Sequence, residues 1–318
     1  VTVNFASSSK RAAVIFNPKG GSAKSGQVGE LQRALAARGL DIVQYTTTPE
    51  PGSARDLARQ ASADGAAIVI ACGGDGTVCQ AAEGLIGTDT PLAVLPAGTG
   101  NLFARAFYAR PDAAKLVDLI VSGQPQPIDM TRLNYRGLDG SEHEQLYLVA
   151  LGLGKISDAI STASPEMKRR FGKLTYAAGM IAACFNPEPI TYTLTTLGAT
   201  GSVDDSDSLS VSARASAVFA LNALPPSMAI LSRGCNASDG LTDIVALRAT
   251  GFFSLLSFSS RMASGRPDNS PHYLRLRAKK VRIETDRPVS PNIDGDPGAL
   301  TQYMEITTLP QAVRVIVS

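Results

Sequence analysis

Metal-binding and nucleophilic side chains are scarce in this sequence. It has two histidines, His143 and His272, and four cysteines, Cys72, Cys79, Cys184 and Cys235, with no CxxC pair. No zinc-ligand spacing can be drawn from that set, so the cysteines read as reduced core thiols without a catalytic or metal role. GxSxG is absent too, and so few histidines leave little room for a serine-hydrolase triad. Excess charge is missing as well: 30 Lys and Arg stand against 28 Asp and Glu, a formal charge of +2. A nucleic-acid partner is therefore not expected. Long apolar runs are also lacking. The longest, around Leu174 to Phe185, is shorter than the roughly 20 residues that cross a bilayer. The opening stretch VTVNFASSSKRAAVIF has no apolar segment ending in a cleavage site. These absences predict a soluble, cytoplasmic protein that touches a membrane only peripherally, at its inner surface.

With 318 residues and 44% hydrophobic composition, the chain is long enough for two cores, hence two domains. In the first third, short apolar runs alternate with helical spacing: AAVIF (Ala12 to Phe16), DIVQY (Asp41 to Tyr45), AAIVIA (Ala66 to Ala71) and PLAVLP (Pro91 to Pro96). That alternation predicts an α/β domain with a parallel sheet covered on both faces, its ligands at the loops leaving the strands' carboxyl ends. From about Pro127 the runs turn rich in Thr, Val, Tyr and Leu, as in LYLVALGLG and PITYTLTTLGATG, and predict an antiparallel β domain. Helices are expected at Met167 to Phe185 and Gly251 to Gly265, and a flexible loop over Gly198 to Ser208. Lys168, Arg169, Arg170 and Lys173 at the start of the first helix, followed by an apolar face, suit an anionic headgroup layer. The same pattern suits a helix packed on its own protein.

Three glycine-rich turns each follow an expected strand: NPKGG (Asn17 to Gly21), GGDGT (Gly73 to Thr77) and PAGTGN (Pro96 to Asn101). Glycine lets a bulky anion approach backbone N–H groups, and the helix start behind each turn adds unpaired donors. One such turn is ordinary; three on one sheet edge make a phosphate cradle. Familiar alternatives fail. Pro18 and Ala23 stand where a P-loop requires glycine, and Cys79 and Ser157 occupy the last glycine place of the two GxGxxG-like stretches.

Asp75 is a carboxylate among those glycines. It repels a phosphate unless Mg²⁺, a nucleotide hydroxyl or the acceptor hydroxyl makes it useful; it also suits a cap for the helix beyond it. Two further clusters lie in turn-like settings, NASDGLTD (Asn236 to Asp243) and NIDGDP (Asn292 to Pro297). The pairs Asp239 with Asp243 and Asp294 with Asp296 suit Mg²⁺ or a general base, and each Asp-Gly alone suits a hairpin turn.

In this order the motifs resemble those of the soluble bacterial diacylglycerol kinases and their relatives, the sphingosine and ceramide kinases. GGDGT followed by PAGTGNLFAR carries the resemblance. Asn17-Pro18, KRRFGKLTY (Lys168 to Tyr176), SDGLTD (Ser238 to Asp243) and DGDP (Asp294 to Pro297) complete it over nearly the whole chain. The resemblance implies an NAD kinase- and phosphofructokinase-like nucleotide domain over residues 1–126, rejoined by a C-terminal strand at about 311–318. A β-sandwich lipid domain spans 127–310, with the active site between the two. By matching position, Asn17, Gly74, Asp75, Gly76, Thr77, Gly98, Thr99 and Asn101, beside Gly73, hold the nucleotide. Asp239 joins the metal-linked network, and Asp294 is the base.

The same resemblance implies an ATP- and Mg²⁺-dependent lipid kinase, with diacylglycerol the first expectation for the acceptor and ceramide or a sphingoid base the second. A homodimer is compatible with this reading. NAD kinase and a non-catalytic lipid-binding protein are the competing classes. The chain departs from the bacterial pattern at Cys79-Gln80, where those kinases carry Asn-Glu, at Leu102, where they carry Asp, and at Asp296, where they carry Glu. Glu83 lies one helical turn beyond Gln80.

Overall fold

The computed structural model describes residues 10–19, 25–98, 100–108, 112–154, 189–199, 208–229, 231–248 and 270–317. Thr99, Gly20, Gly21, Cys184 and the two helices expected at Met167 to Phe185 and Gly251 to Gly265 lie outside them. The chain divides into two units, Val1–Met130 with Pro310–Ser318, and Thr131–Leu309.

In the first unit the apolar runs form the parallel strands β1 (Arg11–Phe16), β2 (Asp41–Thr46), β3 (Ile68–Gly73) and β4 (Leu92–Pro96), in the order β2, β1, β3, β4. At the far edge of β4 the C-terminal residues join in parallel, with Val315 opposite Leu92. All six residues of β3 are buried. A strand covered on both faces needs such a continuous apolar run rather than alternation. The cover comes from α1 (Ser25–Ala37), α2 (Ser53–Ala63), α3 (Asp75–Gly84), the short α4 (Leu102–Phe107) and α5 (Ala113–Ser122), with α1 packed on α5 and α2 on α3. Helix α2 meets its neighbours through Ala54, Ala58 and Ala61, one apolar stripe at helical spacing. Buried Tyr108 donates to the Ile316 carbonyl at 2.6 Å and accepts the Val94 N–H at 3.3 Å, which fastens the returning C-terminus beside β4. Because the strands are parallel, their carboxyl ends open at one edge. The loops after β1, β2, β3 and β4 therefore meet there.

The second unit is antiparallel. Its strands are the continuation of β5 (Pro125–Arg136), then β6 (Glu142–Tyr147), β7 (Ala150–Leu153), β8 (Ile190–Ala199), β9 (Leu209–Ala215), β10 (Ala217–Leu221), β11 (Thr242–Leu247), β12 (Tyr273–Val289), the two-residue β13 (Asn292–Ile293) and β14 (Asp296–Pro297), and the start of β15 (Thr301–Ile316). Strand β8 includes Gly198 and Ala199, the first two residues of the expected loop, and residues 200–207 of that loop lie outside the described residues. Leu133, Tyr147, Leu151, Tyr192, Val218, Ile244, Val281 and Ile306 converge on one core fed by most of these strands, as in a sandwich. Strands β10 and β11 are buried on both faces. Val218, Ala220, Ile244 and Ala246 enter that core, while Phe219, Leu221, Val245 and Leu247 enter a smaller one with Leu231 and Cys235. The period of two decides which side chains reach which core. No helix among the described residues is long and apolar enough to cross a membrane.

Candidate active site

Three of the loops at the open edge of the first unit are joined by short contacts. Asn17 follows β1; its N–H donates to the Cys72 carbonyl at 3.0 Å and its Nδ2 to Thr77 Oγ1 at 2.9 Å. Its Oδ1 accepts the Lys19 N–H at 3.0 Å. One asparagine thus ties the first turn to the second. Gly73 has no room for a side chain, because a Cβ there would stand 2.5 Å from that of Thr77. The second and third turns touch backbone to backbone. A Cβ on Gly98 would lie 2.6 Å from Gly74 Cα and 3.0 Å from Asn101 Oδ1. Asn101, at φ 46°, closes the third turn by accepting the Gly98 N–H at 2.8 Å and donating to its carbonyl at 2.7 Å. Asparagine is among the few side chains that enter this left-handed region readily.

These turns border a cavity of about 440 Å³ whose lining includes Asn17, Gly74, Gly76, Thr77 and Gly98. Gly73, Asp75 and Asn101 are not in the lining; they hold the turns that are. Lys19, together with Thr47 and Thr48 of the loop after β2 and Ser53 at the start of α2, completes the wall with Gln80. Ser53 Oγ accepts the Thr48 N–H at 3.0 Å, and Gln80 Oε1 accepts the Ala54 N–H at 3.3 Å. The β2 loop does not stand out in the sequence because it carries no glycine cluster. Its position after a parallel strand is the available signal.

Asp75 is not the cap of its own helix. Gly74 is the N-cap of α3, and Asp75 reaches across to accept the Phe103 N–H at 3.0 Å in the first turn of α4. Burial raises its carboxyl above the ordinary aspartate value, against the lowering effect of the Phe103, Leu102 and Asn101 amides. Cys72, inside β3, is pushed up to about 12 by burial alone, as an inert core thiol requires. Gly98→Ala is expected to force the second and third turns apart, costing about 1 to 3 kcal/mol of stability. Equilibrium binding of a fluorescent ATP analogue and a thermal melt measure both consequences; unchanged binding and melting would mean that the Gly74 contact is dispensable.

In the second unit Asp294 occupies the tip of a two-residue hairpin between β13 and β14, at φ 49°, followed by Gly295 at φ 106°. Positive φ at both positions is what a tight hairpin of this twist needs. The side chain folds back on its own sheet. Oδ1 accepts the Val149 and Ala150 N–H groups at 3.0 and 2.9 Å, and Oδ2 the Leu148 N–H at 2.9 Å. The Asp-Gly pair therefore forms the expected hairpin turn, and its carboxylate is held by three backbone amides. Asp296 is exposed.

Asp239 and Asp243, expected at Mg²⁺, face guanidinium groups instead. Arg277 Nη2 pairs with Asp239 Oδ2, while Asp243 Oδ1 receives Arg275 Nε at 2.6 Å and Nη2 at 2.5 Å. Among the described residues no three His, Cys, Asp or Glu gather as a metal site. That donor set does not fit a divalent ion.

The chain thus pairs a parallel α/β unit, with a cradle of glycine turns at its carboxyl edge, with a β-sandwich unit bearing a hairpin carboxylate. Residues 11–133 match the diacylglycerol kinase catalytic domain, and residues 152–317 match the YegS C-terminal NAD kinase beta sandwich-like domain. The chain belongs to this family of lipid kinases and is a lipid kinase phosphotransferase. It is 24% identical over 297 residues to the diacylglycerol kinase of Bacillus subtilis strain 168, covering 92% of this chain and 91% of that one. It is 28% identical over 311 residues to the diacylglycerol kinase of Mycobacterium tuberculosis strain H37Rv, covering 96% and 94%. Its fold is similar to that of a solved diacylglycerol kinase from Bacillus anthracis strain Sterne, with a TM-score of 0.66, 20% identity and 97% of each chain covered. Membership of a kinase family implies ATP use and, typically, a divalent metal.

Proposed function

We propose that this enzyme transfers the γ-phosphoryl group of ATP to the free hydroxyl of diacylglycerol, giving phosphatidic acid and ADP. The observation that carries the nucleotide half is the cavity of about 440 Å³ bordered by glycine turns in direct contact, Gly74 on Gly98, with Asn17 bridging to Thr77. Backbone N–H groups and helix starts at such turns suit a polyphosphate. In this reading Asn17, Gly73, Gly74, Gly76, Thr77, Gly98, Thr99 and Asn101 build the nucleotide site, and Asp75 holds α4 and the third turn in place. Asp294 takes the proton from the lipid hydroxyl as its oxygen bonds to the γ-phosphorus and the bond to the bridging β,γ-oxygen breaks. General-base help contributes about 10²- to 10⁴-fold, so positioning and electrostatic stabilisation supply the larger share of the rate.

The acceptor is inferred from relatives named diacylglycerol kinase along more than nine-tenths of both chains. Ceramide and sphingoid bases gain less support than the sequence suggested. Gln80, one of the departures from the bacterial pattern, lines the cavity of the first unit, which in this reading holds the nucleotide rather than the acceptor. A peripheral membrane contact and a homodimer remain compatible with a lipid kinase that must reach its substrate. The test is thin-layer separation after incubation with labelled ATP and, separately, diacylglycerol, ceramide, sphingosine and NAD. Label in phosphatidic acid is expected. Label in ceramide phosphate or sphingosine phosphate reassigns the acceptor, label in NADP rejects the lipid reading, and no transfer leaves a lipid-binding protein.

A further inference from the structure

We propose that the guanidinium groups of Arg275 and Arg277 hold, at the Asp239–Asp243 turn, the place that a divalent cation was expected to take, so that this part of the second unit is built without metal. Asp243 lies directly opposite Arg277 in the β11–β12 ladder. Arg275 stands two residues along β12, on the same face. That face is the one turned to the smaller core, since Val245 and Leu247 enter it with Tyr273. Asp243 is only 1% exposed. A carboxylate buried that deeply persists only with a counter-charge and hydrogen bonds.

The arginines supply the counter-charge, and the hydrogen bonds fall on one oxygen, Oδ1, while Oδ2 is buried without a hydrogen-bond partner among the described residues. Arg275 gives Asp243 Oδ1 two donors at 2.6 and 2.5 Å, and Ser232 Oγ adds a third at 3.2 Å. Arg277 lies between the carboxylates, its Nη2 on Asp239 and its Nε 3.4 Å from Asp243 Oδ1, close enough for an ion pair but not hydrogen-bonded. Asp239 Oδ1 meanwhile accepts the Leu241 N–H at 3.1 Å, which closes the turn. A single planar cation between two carboxylates does the electrostatic work of a bound ion, and an arginine is never deprotonated or chelated away. A second cation in the same place would meet two guanidinium groups at close range.

Cys235, whose thiol burial and then the nearby Asp243 carboxylate push up, starts a short chain toward the hairpin carboxylate. Cys235 Sγ donates to the Asn222 carbonyl at 3.4 Å, Asn222 Nδ2 to the Leu148 carbonyl at 2.8 Å, and the Leu148 N–H to Asp294 at 2.9 Å. Any divalent requirement of the kinase reaction then attaches to the nucleotide and not to this turn. The experiment uses the full chain, nucleotide-free and stripped with a chelator, melted with and without millimolar Mg²⁺. Wild type is expected to melt at the same temperature in both. Arg277→Met melts about 5 °C or more lower in both, and Arg277→Lys recovers part of the loss. Asp239→Asn provides a reading that does not depend on the arginine variants folding. A Mg²⁺-induced rise in wild type that Asp239→Asn abolishes overturns the proposal; no rise, or a rise that Asp239→Asn retains, supports it.

Discussion

Asp294→Asn lowers kcat by about 10²- to 10⁴-fold, the range that general-base help supplies, or roughly 3 to 5 kcal/mol of barrier. The geometry makes this a demanding substitution as well as an inactivating one. Both carboxylate oxygens accept amide hydrogens, two on Oδ1 and one on Oδ2. An asparagine can satisfy the Val149 and Ala150 donors with its one oxygen, but its NH₂ then confronts the Leu148 N–H. That mismatch costs about 1 to 3 kcal/mol of stability on top of the chemical loss. The two effects separate by measurement: ADP release at saturating lipid and ATP gives kcat, and circular dichroism with a thermal melt gives the fold. A variant that melts several degrees lower but turns over at near wild-type rate removes Asp294 from the base role and leaves Asp75 as the candidate. A variant with unchanged melting and lost turnover supports the assignment in its simplest form.

The parts of this molecule that the sequence announces are those set by local pattern. AAVIF, DIVQY, AAIVIA and PLAVLP fall on β1 to β4 within a residue or two, because short β-branched runs between glycine turns have few other uses. What pairs with what across the turns is different. That Asn17 reaches Thr77, and that Gly74 and Gly98 meet without side chains, depends on strand order, which no local signal carries. Asp75 shows the same limit. As the first residue of α3 it lies past the capping position, so its carboxylate serves a helix start 28 residues later. Asp239 and Asp243 are legible as an oxygen-rich turn, but their partners Arg275 and Arg277 sit more than thirty residues away on β12. Charge clusters suggest a cation; only the ladder register says that the cation is a side chain.

Asp75→Asn is expected to raise the melting temperature at pH 7 while lowering kcat by about 10²- to 10³-fold, the cost of removing a preorganised electrostatic group from such a site. The stability half rests on the direction in which the carboxyl is shifted. Burial is the largest influence and raises it; the Phe103, Leu102 and Asn101 amides offset this only in part. A carboxyl whose folded value lies above its unfolded value holds its proton more tightly when folded. Its contribution to stability is fully present below the unfolded value of about 4 and is lost as the pH rises through the raised folded value. At neutral pH the Asp75 carboxyl therefore works against the fold. An asparagine keeps an oxygen for the Phe103 N–H at the position now 3.0 Å away and carries no charge to desolvate. The difference in melting temperature between variant and wild type should accordingly be largest at neutral pH and close as the pH falls toward 4. A melt series from pH 4 to 8 on nucleotide-free protein, beside ADP release at pH 7, tests both halves. A variant that melts below wild type at pH 7 would mean that the hydrogen bonds of the carboxylate outweigh its burial. Retained kcat would mean that Asp75 serves α4 alone. Higher stability with lost turnover is the signature of a charge kept at the nucleotide site for its chemistry, at the expense of the fold around it.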